Sequence, residues 1–369
     1  MVCPQARLGW RSVVWGGLFL LLFGTVHLTA APAKKVLLFH ADNQFQPANL
    51  VMDSTFRSRL TGAPDLAVEL YSEYLEAVRF PSPQTTALAV SLLKAKYRTV
   101  NLDLILVTDD TSWDFFSRVR QDLFPGIPVV FCGITEGKIG PKDLPPGTTG
   151  NFKNVDIGAN LKAIQTLQPE VDRVLVVLGV SPQDQYYEKL ARKAFAGVSH
   201  PAAVFLNGES IEEIGAATAT PSPKTVALYI SLYQDGMGKT FNPRDALDRL
   251  VAGSRIPVYG VSSTYLGHGI VGGNLLSFED VSADASSMVL QILRGQDPGT
   301  IPPRTSENRS YFDWPQLVRW GIKGSLIPPG SVVLNRPPDP WVVYRWQILG
   351  TAAFLAFETA LLVLLVSLL

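Results

Sequence analysis

Cysteine is nearly absent from this chain: its 369 residues hold two, Cys3 and Cys132. Cys3 lies in the N-terminal leader, so the rest of the chain has one thiol and no intramolecular disulfide to brace it. Histidine is scarce too. His27, His40, His200 and His268 stand far apart and match no zinc-ligand spacing. Lysines and arginines number 32, as do acidic residues, so the footprint of a nucleic-acid binder is missing. There is no low-complexity tract, no long run of like charge and no short-period repeat. No Gly-x-Ser-x-Gly elbow or paired catalytic constellation occurs. What is there is a chain 47% hydrophobic and 17% charged, long enough for a substantial core shared between two lobes.

The two ends carry the long apolar runs. Arg7 and Arg11 precede residues 13–26, and small residues follow up to Ala33. This is the pattern of a signal peptide, or of an N-terminal anchor if the run is retained. No cysteine stands at the end of the run, which argues against a lipoprotein anchor. Residues 348–369 are apolar apart from Thr351, Glu358, Thr359 and Ser367. At about 1.5 Å per residue they can cross a ~30 Å hydrocarbon core. Trp341, Tyr344 and Trp346 suit an interfacial aromatic belt just before the span. With the arginines of the leader held in the cytoplasm, the body is exported. Glu358 then faces a partner helix rather than lipid. No lysine or arginine follows the second span, which reads as a protein cut short.

Between the ends, strands alternate with helices, the grammar of parallel sheets joined by right-handed crossovers. Residues 35–40, 66–71, 103–108 and 128–132 read as strands. Helices fall at 47–60 and from Ser82-Pro83, the second with Leu88, Leu92, Leu93 and Tyr97 on its inner face. After a Pro/Gly-rich loop at 140–150 the pattern restarts. Asp156 caps a helix stopped at Pro169, and 171–178, 203–206 and 225–231 are strands. Ser181-Pro182 and Asn242-Pro243 open helices. Residues 257–278 read as strand, tight glycine-rich crossing and second strand, followed by a helix from about Asp280. We expect lobe 1 to comprise residues 34–150 with 270–305, and lobe 2 residues 151–266 with 308–336. Residues 341–347 form a juxtamembrane segment. The chain thus passes between lobes near Gly150, Gly267 and Asn308.

Two nucleotide motifs are decoys. Gly267, Gly269 and Gly272 spell G-x-G-x-x-G, but an extended segment follows where the dinucleotide fingerprint needs a helix. Gly238-Lys239-Thr240 has Tyr233 where a P-loop needs glycine. Asn308-Arg309-Ser310 is a sequon that matters only in a eukaryotic secretory setting.

In open α/β sheets ligands sit beyond the carboxyl ends of strands. That rule nominates Asp42, Asn43, Thr108, Asp109, Asp110, Cys132 and Gly133 from the first lobe, with Thr111, Ile134 and Thr135 beside them. From the second it nominates Gly179, Ser181, Tyr233 and Asp235, with Val180 and Asn207, and from the crossing Tyr265 and His268. Each also has a purely structural reading as cap, turn or core. Asp109 and Asp110 are either a carboxylate pair for acid–base work or a metal, or a helix cap with a solvated neighbour, and no His, Cys or Lys cluster partners them. Tyr233, Tyr265 and Asp235 fit a small polar ligand with an apolar body. Nothing calls for a cofactor or a metal.

Six segments carry a family resemblance: YSEYLEAVRFP (71–81), KYRTVNLDLILVTDD (96–110), LFPGIPVVFCGI (123–134), YISLYQDGMGK (229–239), PVYGVSSTYLGHGIVGG (257–273) and FDWPQLVRWGI (312–322). Together they resemble the ABC-transporter substrate-binding-protein-like sensor region of bacterial membrane histidine kinases, over almost the whole exported body. The resemblance implies a periplasmic-binding-protein type 1 fold, two Rossmann-like lobes closing on a small molecule. It also implies a place in the bacterial inner membrane with the body in the periplasm. In that group the second span leads to PAS and kinase modules. Here nothing follows Leu369, and no histidine-phosphotransfer helix or ATP-binding glycine boxes are present, so kinase activity does not carry over. The expectation is a non-enzymatic sensor region, working with a cytoplasmic kinase module or partner subunit; the alternative is a membrane-tethered solute-binding protein of an ABC transporter.

Overall fold

A run of seven residues with no charge past its second position, Lys34–His40, forms β1 inside the first sheet, next to its edge strand. The computed structural model describes residues 32–40, 42–76, 80 and 82–369. The leader's charged and apolar segments lie outside the described residues. β1 pairs in parallel with β2 (Val68–Tyr74) on one side and β3 (Leu104–Thr108) on the other. β4 (Val129–Thr135), β5 (Thr148–Lys153) and β11 (Arg304–Thr305) complete the order β11-β5-β4-β3-β1-β2. All residues of β3 and β4 are buried, as strands covered on both faces must be. Strand alternation divides their side chains. Val36, Leu38, Leu104, Leu106, Val130 and Cys132 face a core that includes Met52 and Phe56 of helix α1 (Pro47–Thr61). Leu37, Phe39, Ile105, Val107 and Phe131 face a second core with Leu93 and Tyr97 of α2 (Pro83–Tyr97) and Phe115 and Phe116 of α3 (Asp109–Leu123).

The second half repeats the plan. α4 (Ile157–Leu167), α5 (Pro182–Phe195), α6 (Ile211–Ala219) and α7 (Pro243–Gly253) alternate with β6 (Arg173–Leu178), β7 (Ala202–Leu206), β8 (Thr225–Ser231) and β9 (Val258–Gly260), in the order β7-β6-β8-β9. β10 (Gly272–Leu275), β12 (Arg309–Asp313) and β13 (Val332–Leu334) form a small sheet beside it. Backbone bonds from Val271 to Val258 and from Leu276 to Val261 stitch the two together. α8 (Phe278–Leu293) returns to pack on α1, β4 and β5 of the first sheet. The chain therefore passes between the two sheet systems at residues 154–156, 276–278 and 306–308.

Several expectations need correcting. Residues 148–150 of the expected loop already belong to β5, whose pairing carries the first sheet to Lys153 rather than Gly150. β10 was expected with lobe 1, but it pairs antiparallel to β12 in the second system. The second strand is only four residues long, and α8 starts at Phe278 because Ser277 caps it, its hydroxyl accepting from Asp280 N. α6 was not anticipated; its capping box, Ser210 with Glu213, is the signal that was there to read. On α2, Leu93 and Tyr97 are buried, but Leu88 and Leu92 are 69% and 62% exposed. The inward row is 89–93–97, and the 88–92 row lies one residue, about 100°, around the helix.

The G-x-G-x-x-G stretch has no helix behind it. Gly269 sits at φ +85°, and a Cβ there would collide with Val251 of α7. Glycine is needed for close approach of chain to helix, not for a nucleotide. A short helix, α9 (Trp314–Arg319), follows β12, and beyond β13, α10 (Pro340–Leu368) is one helix, long and apolar enough to cross a membrane, with none of that span buried against the rest.

Candidate functional site

Both sheets have the order in which the first strand lies between the second and third, so each has a switch point where consecutive connections leave on opposite faces. In the first sheet it lies between β1 and β3; in the second, between β6 and β8. The chains leaving β1 and β8 each turn and start a helix on a proline, Gln46-Pro47 for α1 and Asn242-Pro243 for α7. The two starts meet: Asn242 Nδ2 donates to Gln46 Oε1 at 3.1 Å.

Around this meeting point is a cavity of about 70 Å³. Gln46, Pro47 and Ala48 reach it from the first sheet's side, and Val155 and Phe278 from the crossings. Tyr187, Ile230, Ser231, Tyr233, Val261 and Leu276 supply an apolar and aromatic wall from the second. Tyr265 closes the floor; its hydroxyl donates to Ile230 O at 3.1 Å and its ring meets Tyr229 edge-on at 5.2 Å. Ser262 and Thr264 add hydroxyls, and Arg244 adds the one formal charge of the lining among the described residues.

Carboxylates gather beside this cavity but are engaged elsewhere. Asp110 accepts from Thr135 N at 2.8 Å and Thr135 Oγ1 at 2.5 Å, and Lys153 Nζ lies 3.3 Å away. Burial works to raise the Asp110 carboxyl, yet Lys153 and the Thr135 donors outweigh it and hold it below the ordinary carboxylate range. Burial works to lower Lys153, and Asp110 reverses that, holding the ammonium above its ordinary range. Asp109 adopts φ +53°, a strained conformation for a side-chain-bearing residue, and its carboxylate accepts from Thr111 N, Ser112 N and Ser112 Oγ. It caps α3, and burial raises its carboxyl. Both carboxylates are thus engaged within the first sheet's own turns.

His40 has the connectivity of a hydrolase triad. Its Nδ1 lies 2.8 Å from Thr108 Oγ1 and its Nε2 lies 3.0 Å from Asp53 Oδ1, with Tyr74 stacked on the ring and bonded to Asp53. Thr108 is fully buried, so no substrate reaches its hydroxyl. The network holds β1, β3 and α1 together rather than performing chemistry.

The other nominated residues divide sharply. Tyr233 and Tyr265 line the cavity. Asp42 accepts from Asn43 N, and Asn43 in turn bonds Phe45 N, so both shape the turn into α1. The Asp42 and Asp109 charges still reach Tyr233, whose phenol is raised first by burial and then by these and other neighbouring charges. Cys132 is fully buried under α8, its thiol 3.7 Å from Val281 O and pushed up by burial to about 12. Gly133, at φ +67°, packs against Val281. Ser181 caps α5, and Asp184, three residues on, is spent on Ser231 Oγ, Ser181 N and Tyr233 N. Asp235, 1% exposed, clamps the turn after β8 by accepting from Met237 N, Lys239 N and Ile211 N. His268 pairs with Asp248 at 2.7 Å, outside the cavity lining. Gly179 and Asn207 border a separate depression on the second half, with Gln185, Glu188 and Arg192.

Gln46, Tyr187, Asn242 and Arg244 were missed, because the strand-end rule looks at the first residues after a strand. These four sit at helix starts or one turn in. The Gln-Pro and Asn-Pro steps were the available signal.

The fold is an α/β one of parallel sheets that matches solved periplasmic-binding-protein structures. Among solved structures, a conserved domain protein from Vibrio cholerae O1 biovar El Tor matches at TM-score 0.59 and 14% identity, over 82% of this chain and 100% of that one. A ligand-free, open substrate-binding protein with adhesive properties from Clostridium difficile matches at 0.59 and 14%, over 83% and 100%. An ABC domain in complex with L-Trp from Streptococcus pneumonia matches at 0.55 and 17%, over 82% and 100%. At such identities the likeness is one of fold. No protein-family model matches the sequence, and no curated protein does.

Proposed function

We propose that this chain is the extracytoplasmic, small-molecule-binding sensor region of a membrane signalling protein. The observation that carries the binding reading is the cavity where Gln46 and Asn242 meet, walled by residues of both halves and floored by Tyr265. A ligand there touches both halves, so it binds best when they are closed and shifts the population toward that state. Solute-binding neighbours of this fold lend support, the streptococcal one being described with L-Trp.

The sensor reading is favoured over a tethered transport protein by where the chain enters and leaves. The described chain enters through β1, in the first sheet, and runs out through β13, in the second system, into the apolar helix α10. A change of angle between the halves therefore moves the base of that helix relative to the entry strand. A delivery protein needs only a leash; a transducer needs this split attachment. In this reading the body lies in the periplasm, α10 spans the inner membrane, and a cytoplasmic kinase module or partner subunit receives the signal.

The test is a metabolite screen by thermal shift on the full chain in detergent. A ligand at a hundred times its Kd adds about 2.7 kcal/mol, and Tyr233→Ala should abolish the shift. A shift that survives this substitution places the ligand elsewhere. To separate the two roles, a cysteine introduced at Tyr344 reports cross-linking between copies in membranes. Ligand-dependent cross-linking supports the sensor; unchanged cross-linking together with ligand-dependent capture of a permease supports transport.

A further inference from the structure

Among the described residues the cavity lining contains a single ionised side chain, Arg244, and it is unmatched. Its Nε is buried without a hydrogen-bond partner, and among the described residues no carboxylate pairs with the guanidinium. A buried, unpaired donor of a charged group costs free energy that a native structure tolerates when something else satisfies it. The neighbouring acids do not: Asp184 is spent on Ser231, Ser181 and Tyr233, and Asp110 on Thr135 and Lys153. On the opposite wall α1 begins at Gln46 with no side-chain cap and no acidic residue in its first turn, so its dipole adds to the same sign. The rest of the wall is aromatic and aliphatic, with scattered hydroxyls.

We infer that the ligand of this cleft is a small monocarboxylate with an apolar body, its carboxylate paired with Arg244 and its body against Tyr187, Tyr233 and Tyr265. The inference rests on the cleft being the ligand site proposed above. One guanidinium offers a planar fork to one carboxylate; a phosphate monoester would bring a second charge that nothing in the lining meets. Among the described residues no carboxylate lines the cavity to pair with an ammonium group, so a free acid is preferred to the corresponding α-amino acid. Because Arg244 stands on α7 and the apolar wall extends to α1 and Phe278, such a ligand would join the two halves.

The test uses the full chain in detergent, with a panel of aromatic and branched monocarboxylates such as phenylacetate and 4-methylpentanoate. Each acid is paired with its primary amide and its α-amino acid, and sugars serve as a neutral set. At least one acid should bind, with its amide about 10- to 100-fold weaker, the range of a charge-assisted hydrogen bond lost. Arg244→Gln should bring acid binding down to the level of the amide, Arg244→Lys should fall between, and neither should lower the melting temperature of the unliganded protein. Equal binding of acid and amide, or acid binding that survives Arg244→Gln, overturns the assignment. So does binding of sugars or α-amino acids alone, which leaves the small-molecule reading standing. Silence across all the classes overturns both.

Discussion

The side chains of Gln46 and Asn242 join by one hydrogen bond of 3.1 Å across 196 residues of sequence, and each immediately precedes the proline that starts its helix. Asn242 has a second duty, since its Oδ1 caps α7 by accepting from Arg244 N at 3.0 Å. Gln46 has none, for its side chain makes no cap. The contact can therefore be cut from one side without unravelling a helix.

Gln46→Ala is expected to leave stability within about 1.5 kcal/mol of wild type, the worth of one ordinary hydrogen bond. It should nonetheless widen the distribution of distances between the halves. Spin labels at Leu92 and Lys189, on surface positions of α2 and α5, would report this by double electron–electron resonance. An identical distribution in the variant would show that the contact does not hold the halves together.

Asp110 and Lys153 form a pair whose side chains are only 13% and 10% exposed. Removing one partner leaves the other charge enclosed, so Asp110→Asn should destabilise by roughly 3 kcal/mol or more. The carboxyl is held below its ordinary range, so its contribution is complete above that range and is lost as pH falls through the lowered value. Lys153 is held above its ordinary range, so its share is complete below that range and is lost as pH rises through the raised value. Chemical denaturation of wild type and variant should therefore differ by a constant amount at neutral pH and converge below about pH 4. A gap that persists unchanged into acid would contradict the pairing.

The Cys132 thiol is fully enclosed and pushed up to about 12. Iodoacetamide at pH 8 should leave it unmodified in the folded protein and alkylate it fully in denaturant, as mass spectrometry can read. Because the folded form binds this proton more tightly, the thiol lowers stability as pH climbs past the ordinary cysteine range, near 8.5. Rapid labelling of folded protein would mean that α8 opens readily from the first sheet.

Adjacent leucines on α2 make a clean contrast. Leu93 is 1% exposed and Leu92 62%. Leu93→Ala should cost about 2–5 kcal/mol, whereas Leu92→Ala should stay within about 0.5 kcal/mol. Similar losses at both would mean that the outer face of α2 is covered.

Much of the fold was legible because local signals and burial agree. Runs such as those of β3 and β8 have no polar interruption, and Ser82-Pro83, Ser181-Pro182 and Asn242-Pro243 mark helix starts by capping chemistry. The errors came where pairing, not propensity, decides. Thr148–Lys153 holds Thr, Thr, Gly, Asn and Lys, poor advertisement for a buried strand, yet it lies wholly buried between β4 and β11. β10 could not be assigned to a sheet from its own residues because its partner, β12, is 34 positions away even at the closest register, Leu275 with Arg309. For the site, the strand-end rule reached Tyr233 and Tyr265 but also collected Asp235, Asp110 and Cys132, whose partners become visible only in three dimensions. Polar residues after strands cap, clamp and line alike; the sequence does not say which.

The three passages between the sheet systems bear on how the molecule can move. The first and third are themselves bonded, Asn308 Nδ2 donating to Asn154 O at 2.9 Å, and β11 runs parallel to β5 just before them. Connections laid side by side resist sliding and twisting far better than bending. The opening expected of two halves joined in this way is a rotation about one axis, which one well-chosen interatomic distance would follow from end to end.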